Sequence, residues 1–124
     1  MSENAKQILT GTVIHGMHNG SKFGFPTANI HLQDGQMPET GVYAVRLQID
    51  GQSYKGMLYA GTRPTLKMIE HTIEIHIFNF NQDIYGKNIR FEIVKKIRDE
   101  QTFPTINALI EQLHHDKQEI LNLL

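Results

Sequence analysis

The sequence predicts a mainly β domain, a small closed barrel of about six antiparallel strands with one amphipathic helix packed against it. Three observations carry this expectation. Runs of strand length, rich in β-branched, aromatic and aliphatic residues, are separated by ten glycines, the last of them Gly86. Beyond Thr105 the apolar period lengthens from that of a strand to that of a helix. The chain of 124 residues is the size of one domain, and a chain of that length buries roughly 65% of the surface its unfolded form exposes. Closing the sheet on itself removes unpaired strand edges, which makes a barrel the economical arrangement.

The elements follow in order. Thr10 to His15 reads as a strand. Gly41 to Ile49 alternates, with Tyr43, Val45, Leu47 and Ile49 on one face and Val42, Ala44 and Arg46 on the other. Asp50-Gly51 supplies a two-residue hairpin turn whose central positions both need positive φ, and Gln52 to Leu58 returns antiparallel. Thr72 to Phe80 sets Ile73, Ile75 and Ile77 against Thr72, Glu74, His76 and Phe78. Asn88 to Ile97 turns Ile89, Phe91 and Ile93 inward. From Thr105, a suitable N-cap after Pro104, the residues Ile106, Leu109, Ile110, Leu113, Ile120, Leu121 and Leu124 form one helical stripe. Neither repeat nor linker interrupts the chain, so residues 1–124 are expected to form a single domain with its core from about residue 10.

Composition narrows the function. Apolar residues make up 40% and charged residues 20%, values of an ordinary globular domain. Lys plus Arg is 12 and Asp plus Glu 13, giving a net charge of −1. Proteins that live on phosphate-backbone contacts carry a clear positive excess, so no nucleic-acid partner is expected. Without cysteine there is no disulfide, thiolate zinc site or thiol nucleophile. The beginning of the chain lacks a signal-peptide pattern and no apolar run reaches the ~20 residues of a membrane span. A cytoplasmic monomer with no membrane partner is the expectation.

Several segments invite chemistry. Gly11 and Gly16 have the spacing of a phosphate loop, but Met17 stands where its lysine belongs. The seven histidines lack metal-ligand spacing: His71, Glu74 and His76 fall on a strand, and His114 and His115 point apart on a helix. The stretch Gly16 to Asn29 is the most informative. Its glycines at 16, 20 and 24 allow close backbone approach to a ligand, and Thr27 and Asn29 fall on one side of an extended chain. A hydroxyl beside a carboxamide suits a magnesium ion that receives its negative charge from a nucleotide; the same residues equally suit a turn with Thr and Asn in capping roles. Glu74 is either a general base beside a bound hydroxyl or a solvated carboxylate on the wet face of its strand.

In sequence order, Gly11-x-Val13 leading to Gly16, Gly24-Phe25-Pro26-Thr27-Ala28-Asn29, Gly41-Val42-Tyr43-Ala44-Val45 and Gly61-Thr62-Arg63-Pro64-Thr65 are followed by Glu74-Ile75-His76, Tyr85-Gly86 and Ile97-Arg98-Asp99-Glu100 with Phe103. Together they resemble the riboflavin kinase family, which phosphorylates riboflavin to FMN. The resemblance runs from about Gly11 to Asp116 and implies a six-stranded antiparallel barrel of Greek-key type with a C-terminal helix. It implies that Glu74 is the catalytic base, that Thr27 and Asn29 hold Mg2+, and that Gly16, Gly20, Lys22, Gly24, Pro26 and Thr27 bind ATP, with residues from His15 to Gly24 forming a flap. It places flavin against Arg98, Glu100 and Phe103. Riboflavin/FMN and ATP/ADP are the implied partners.

Two departures stand out. Gly20-Ser21 replaces the family's usual Gly-Arg, with Lys22 beside it, and Tyr59-Ala60-Gly61 replaces Asn-Ile-Gly. Lysine only partly replaces an arginine fork, and Tyr59 reshapes a ligand pocket. Bacterial relatives usually carry an adenylyltransferase domain ahead of this module, for which 124 residues leave no room, so the sequence is expected to be either a standalone kinase or a piece of a longer chain. A flavin carrier or sensor that has lost efficient transfer is the alternative to a kinase, and a single-strand nucleic-acid barrel is disfavoured by charge.

Overall fold

The computed structural model describes residues 7–15 and 24–124. β1 (Gln7–Ile14), β2 (Ala28–Asp34), β3 (Gly41–Ile49), β4 (Gln52–Pro64), β5 (Ile69–Ile77) and β6 (Asn88–Arg98) precede one helix, α1 (Ile106–Leu123). The strands close into a barrel in the order β1-β2-β5-β4-β3-β6, every neighbour antiparallel. The pairings β2–β5 and β3–β6 skip along the sequence, which gives the Greek-key character. The mainly β fold class and the six-stranded barrel with a C-terminal helix are those expected.

Boundaries differ where side chains carry little information. β1 begins at Gln7 rather than Thr10, and Leu9 within the added turn of ladder is fully buried. β2 has no counterpart among the strands read from the sequence. Its only buried side chain is Ile30, so its place is set by ladders to β1 and β5 rather than by an apolar face. β4 continues beyond Leu58 to Pro64, and β5 starts at Ile69 rather than Thr72. Beyond the partly buried Gly61 and Thr72 these extensions are exposed, and they are held by cross-strand pairing from Gly61↔Thr72 to Pro64↔Ile69. Thr65 closes their turn, its hydroxyl donating to the Met68 carbonyl at 2.9 Å. β5 stops at Ile77 instead of Phe80, where Asn79 at φ 55 turns the chain away.

Two positions show why glycine is needed. Asp50 and Gly51 both have positive φ, 51° and 80°, as the tight β3–β4 hairpin requires. At Gly56 a Cβ would lie 2.9 Å from the His76 carbonyl oxygen and 3.0 Å from Leu47 Cδ1. Only a residue without a side chain lets β4 pass there.

The core has two compartments. Inward residues such as Leu9, Val45, Leu47, Leu58, Ile75 and Phe91 fill the barrel. Outside it, Phe25, Val42, Ala44, Met57, Phe78, Leu113 and Ile120 form a second cluster beneath α1. Consequently β3 is buried on both faces from Gly41 to Val45. The outward side of β5, which alternation alone leaves wet, is dry at His76, and at Phe78 just beyond the strand, for the same reason.

Thr105 caps α1, its hydroxyl accepting from the Ala108 amide at 3.1 Å. The expected stripe is only partly correct: Leu113 and Ile120 are buried, but Ile106 is 60% and Leu121 38% exposed. The helix line that meets the barrel passes instead through Asp116, which is 0% exposed. Arg98 Nε donates to both its oxygens at 3.1 and 3.0 Å, Arg98 Nη2 lies 2.9 Å from Oδ2, and Gln112 Nε2 donates to Oδ1 at 2.8 Å. Removing one partner of a buried pair leaves the other charge uncompensated. Asp116→Ala should therefore lower the unfolding free energy by about 3 kcal/mol or more, measured by urea denaturation, whereas Glu119→Ala on the exposed face should change it by less than about 0.5 kcal/mol.

Candidate active site

Barrel register brings one residue from each of several strands into a single row. Asn29 on β2 faces Glu74 on β5, Glu74 faces Tyr59 on β4, Tyr59 faces Val42 on β3, and Val42 faces Arg98 on β6. Directly opposed residues share a face of the sheet. Ile73 and Ile75 point into the barrel, so this row lies on the outside, next to the helix.

A cavity of about 420 Å³ opens over the row. Thr27, Tyr59, Thr72 and Glu74 line it from the sheet side, Arg98, Glu100 and Phe103 from β6 and the segment after it, and Phe25, Leu109 and Leu113 supply apolar walls. Five of the residues singled out from the sequence, Thr27, Glu74, Arg98, Glu100 and Phe103, thus meet in one place. Asn29 does not line this cavity. It borders a cleft of about 660 Å³ beyond it, with His15, His31, Arg63 and Glu70.

Each polar group is held. Thr27 Oγ1 donates to Glu74 Oε1 at 2.8 Å, tying the start of β2 to the carboxylate. His76, on the same face as Glu74, is 8% exposed, and its Nδ1 lies 2.8 Å from the Pro26 carbonyl oxygen. The imidazole also packs edge-on against Phe25 and Phe78. This fixes the backbone just before Thr27. Arg98 bonds Asp116 and lies over the Phe103 ring, 5.6 Å from its centroid, which presents a flat cationic and aromatic surface to the cavity. Tyr59 Oη is buried and has no hydrogen-bond partner among the described residues.

Of the remaining expected ATP-binding residues, Gly16, Gly20 and Lys22, with Ser21, lie outside the described residues. At the first residue of the expected flap, His15 stacks on Tyr85 with ring centroids 3.6 Å apart. Gly24 takes φ 82, and Pro26 is exposed on the approach to Thr27. Among the described residues no three His, Cys, Asp or Glu side chains converge as a metal site. The Thr27 hydroxyl, bonded to Glu74, and the Asn29 carboxamide, opposite Glu74 in the ladder, are hard, neutral oxygen donors two residues apart in the chain, one at the cavity and the other at the adjoining cleft. Donors of this type suit magnesium.

Sequence reading passed over Asp116, Gln112 and the anchoring role of His76. Asp116 had a visible signal, a carboxylate on the line between Leu113 and Ile120 where the helix meets the barrel. His76 gave none, because its burial depends on Phe25 and α1 folding over β5.

Burial lowers the pKa of His76 from its ordinary 6.5, partly opposed by the Pro26 carbonyl. Below that value the unfolded chain takes up a proton that the folded chain refuses, so stability falls as the pH drops. The slope from this group reaches up to about 1.4 kcal/mol per pH unit until the folded-state pKa is passed. Unfolding free energies at about pH 7.5 and about pH 5.5 should differ less in His76→Gln than in the wild type; an unchanged difference would contradict a neutral buried imidazole.

Comparison with known proteins gives the family. Residues 4–124 match the Flavokinase family, described as riboflavin kinase. A Bacillus subtilis protein named bifunctional riboflavin kinase/FMN adenylyltransferase is 42% identical over 92% of this chain and 37% of its own length. Another from the same organism, named RNA-binding riboflavin kinase RibR, is 38% identical over 88% of this chain and 47% of its own. The crystal structure titled macrolide-efflux protein from Streptococcus pneumoniae superposes with a TM-score of 0.87 at 38% identity, covering 93% of this chain and 38% of that one. The chain spans less than half the length of each of these proteins. It is a barrel with a ligand cavity on its outer face, and it belongs to the riboflavin kinase family. Among the described residues no helix is long and apolar enough to cross a membrane.

Proposed function

We propose that this chain is a riboflavin kinase, ATP:riboflavin 5'-phosphotransferase, with residues 1–124 acting as one kinase domain. The observation that carries the proposal is the Glu74 carboxylate, bonded to Thr27 at the wall of a cavity that also holds Arg98 and Phe103. A volume of about 420 Å³ falls within the range of small-molecule sites.

Riboflavin lies with its ring system between the Arg98–Phe103 surface and the apolar walls, Glu100 nearby, and its ribityl chain runs toward Glu74. The Glu74 carboxylate takes the proton of the 5'-hydroxyl as that oxygen bonds to the γ-phosphorus of ATP. The bond from phosphorus to the bridging oxygen breaks, and ADP leaves with the electron pair. Thr27 holds the carboxylate in place while its oxygen remains able to accept. Gly16, Gly20, Lys22, Gly24, Pro26 and Thr27 are assigned to ATP, and Thr27 and Asn29 would hold the magnesium ion. Magnesium, when bound, neutralises charge on the transferring phosphoryl group. Positioning does most of the work, and the fold needs no Walker loop.

The proposal extends to a cytoplasmic monomer acting on small molecules without nucleic acid or membrane, supported by a net charge of −1 and the absence of cysteine. Adenylyl transfer belongs to the longer relatives by their names and is not assigned here.

Glu74→Gln should bind riboflavin within about twofold of the wild type and lower kcat by about 100- to 10,000-fold; a nearly unchanged kcat would remove Glu74 as the base. Thr27→Ala combined with Asn29→Ala should raise KM for Mg-ATP far more than the riboflavin Kd. An equal loss of both would contradict the metal assignment.

A further inference from the structure

We propose that Tyr59 is a flavin-binding residue, its hydroxyl donating a hydrogen bond to a carbonyl oxygen or imine nitrogen of the ring system bound in the cavity over the outer row. This rests on the riboflavin reading and adds to it a residue that the family's usual Asn-Ile-Gly string does not supply.

The first observation is an unsatisfied group. Tyr59 is one of the residues that line the cavity, and its Oη is buried with no hydrogen-bond partner among the described residues. Buried hydroxyls nearly always find one, because leaving water without compensation is costly. The two carboxylates nearest in the row bond other donors, Asp116 receiving Arg98 and Gln112 and Glu74 Oε1 receiving Thr27, and neither bonds Tyr59 Oη. An acceptor arriving with the ligand completes the set.

The second observation is position. Tyr59 stands directly opposite Glu74 on one side and Val42 on the other, with Arg98 the next residue along. Adjacent strands are about 4.8 Å apart, so Tyr59 lies one strand from the carboxylate that faces the ribityl end. A ring reaching from there to Arg98 and Phe103 must cross it. The pyrimidine edge of an isoalloxazine offers two carbonyl oxygens and ring nitrogens as acceptors. Tyr59 meets it as a donor, since burial raises its phenol well above the ordinary pKa and the Asp116 carboxylate raises it further.

The test compares wild type with Tyr59→Phe, which removes one oxygen and keeps the ring. Riboflavin is titrated by its fluorescence, and thermal unfolding is followed without ligand. The expected result is a riboflavin Kd raised roughly tenfold, the scale of one hydrogen bond. It comes with a ligand-free Tm that rises by about 2–4 °C, because the orphaned hydroxyl is gone. An unchanged Kd with normal wild-type binding overturns the Tyr59 assignment alone. A weaker Kd accompanied by a lower ligand-free Tm also overturns it, since the hydroxyl would then support the empty fold. Absence of riboflavin binding by the wild type overturns the kinase reading itself.

Discussion

The register at which the barrel closes is the constraint on which everything else rests. Six strands pair edge to edge with no free edge left, so each ladder limits the next. A shift of one residue anywhere would exchange inward and outward side chains along a strand. The fully buried Leu47, Leu58, Ile75 and Phe91 forbid that exchange. Because the interior is fixed, so is the outer row Asn29–Glu74–Tyr59–Val42–Arg98. The candidate site is in this sense the outside of the core's own register.

The helix then turns an exposed row into a cavity. Leu113 and Ile120 cover the outward faces of β3 and β4, and Leu109 and Leu113 wall the space above Glu74. Asp116 draws Arg98 toward the helix, and Arg98 in turn lies over Phe103. A single buried ion pair therefore links the helix, the end of β6 and the segment carrying Glu100 and Phe103. On the opposite side, His76 holds the Pro26 carbonyl and so places Thr27 beside Glu74. Both walls are set by polar groups buried under apolar cover, where such bonds are strongest.

The fold was legible where alternation is strong. β3, the core of β5 and β6 announce themselves by period, and Asp50-Gly51 marks its hairpin by backbone demands that few residues meet. β2 escaped because only Ile30 is buried in it, and the outer half of the β4–β5 hairpin because its residues are exposed. Thr27, Glu74, Arg98, Glu100 and Phe103 could be picked out from their strings, but their convergence required cross-strand register that no local pattern encodes. Asn29 shows the limit: it faces Glu74 across the ladder, yet it borders the adjoining cleft instead of the cavity. Tyr59 was visible only as an unusual residue in a string, and its orphaned hydroxyl became apparent once Asp116 and Arg98 were in place beside it.

The proposed function puts a small heteroaromatic alcohol in the cavity with its hydroxyl at the Glu74 carboxylate. The most direct measurement is turnover by the wild-type chain. Purified protein is incubated with riboflavin, ATP and magnesium, and the flavins are separated by chromatography. The account predicts FMN in an amount that grows with time and requires ATP. Riboflavin recovered unchanged, although fluorescence shows it bound, would contradict phosphoryl transfer and leave the cavity as a flavin-holding site.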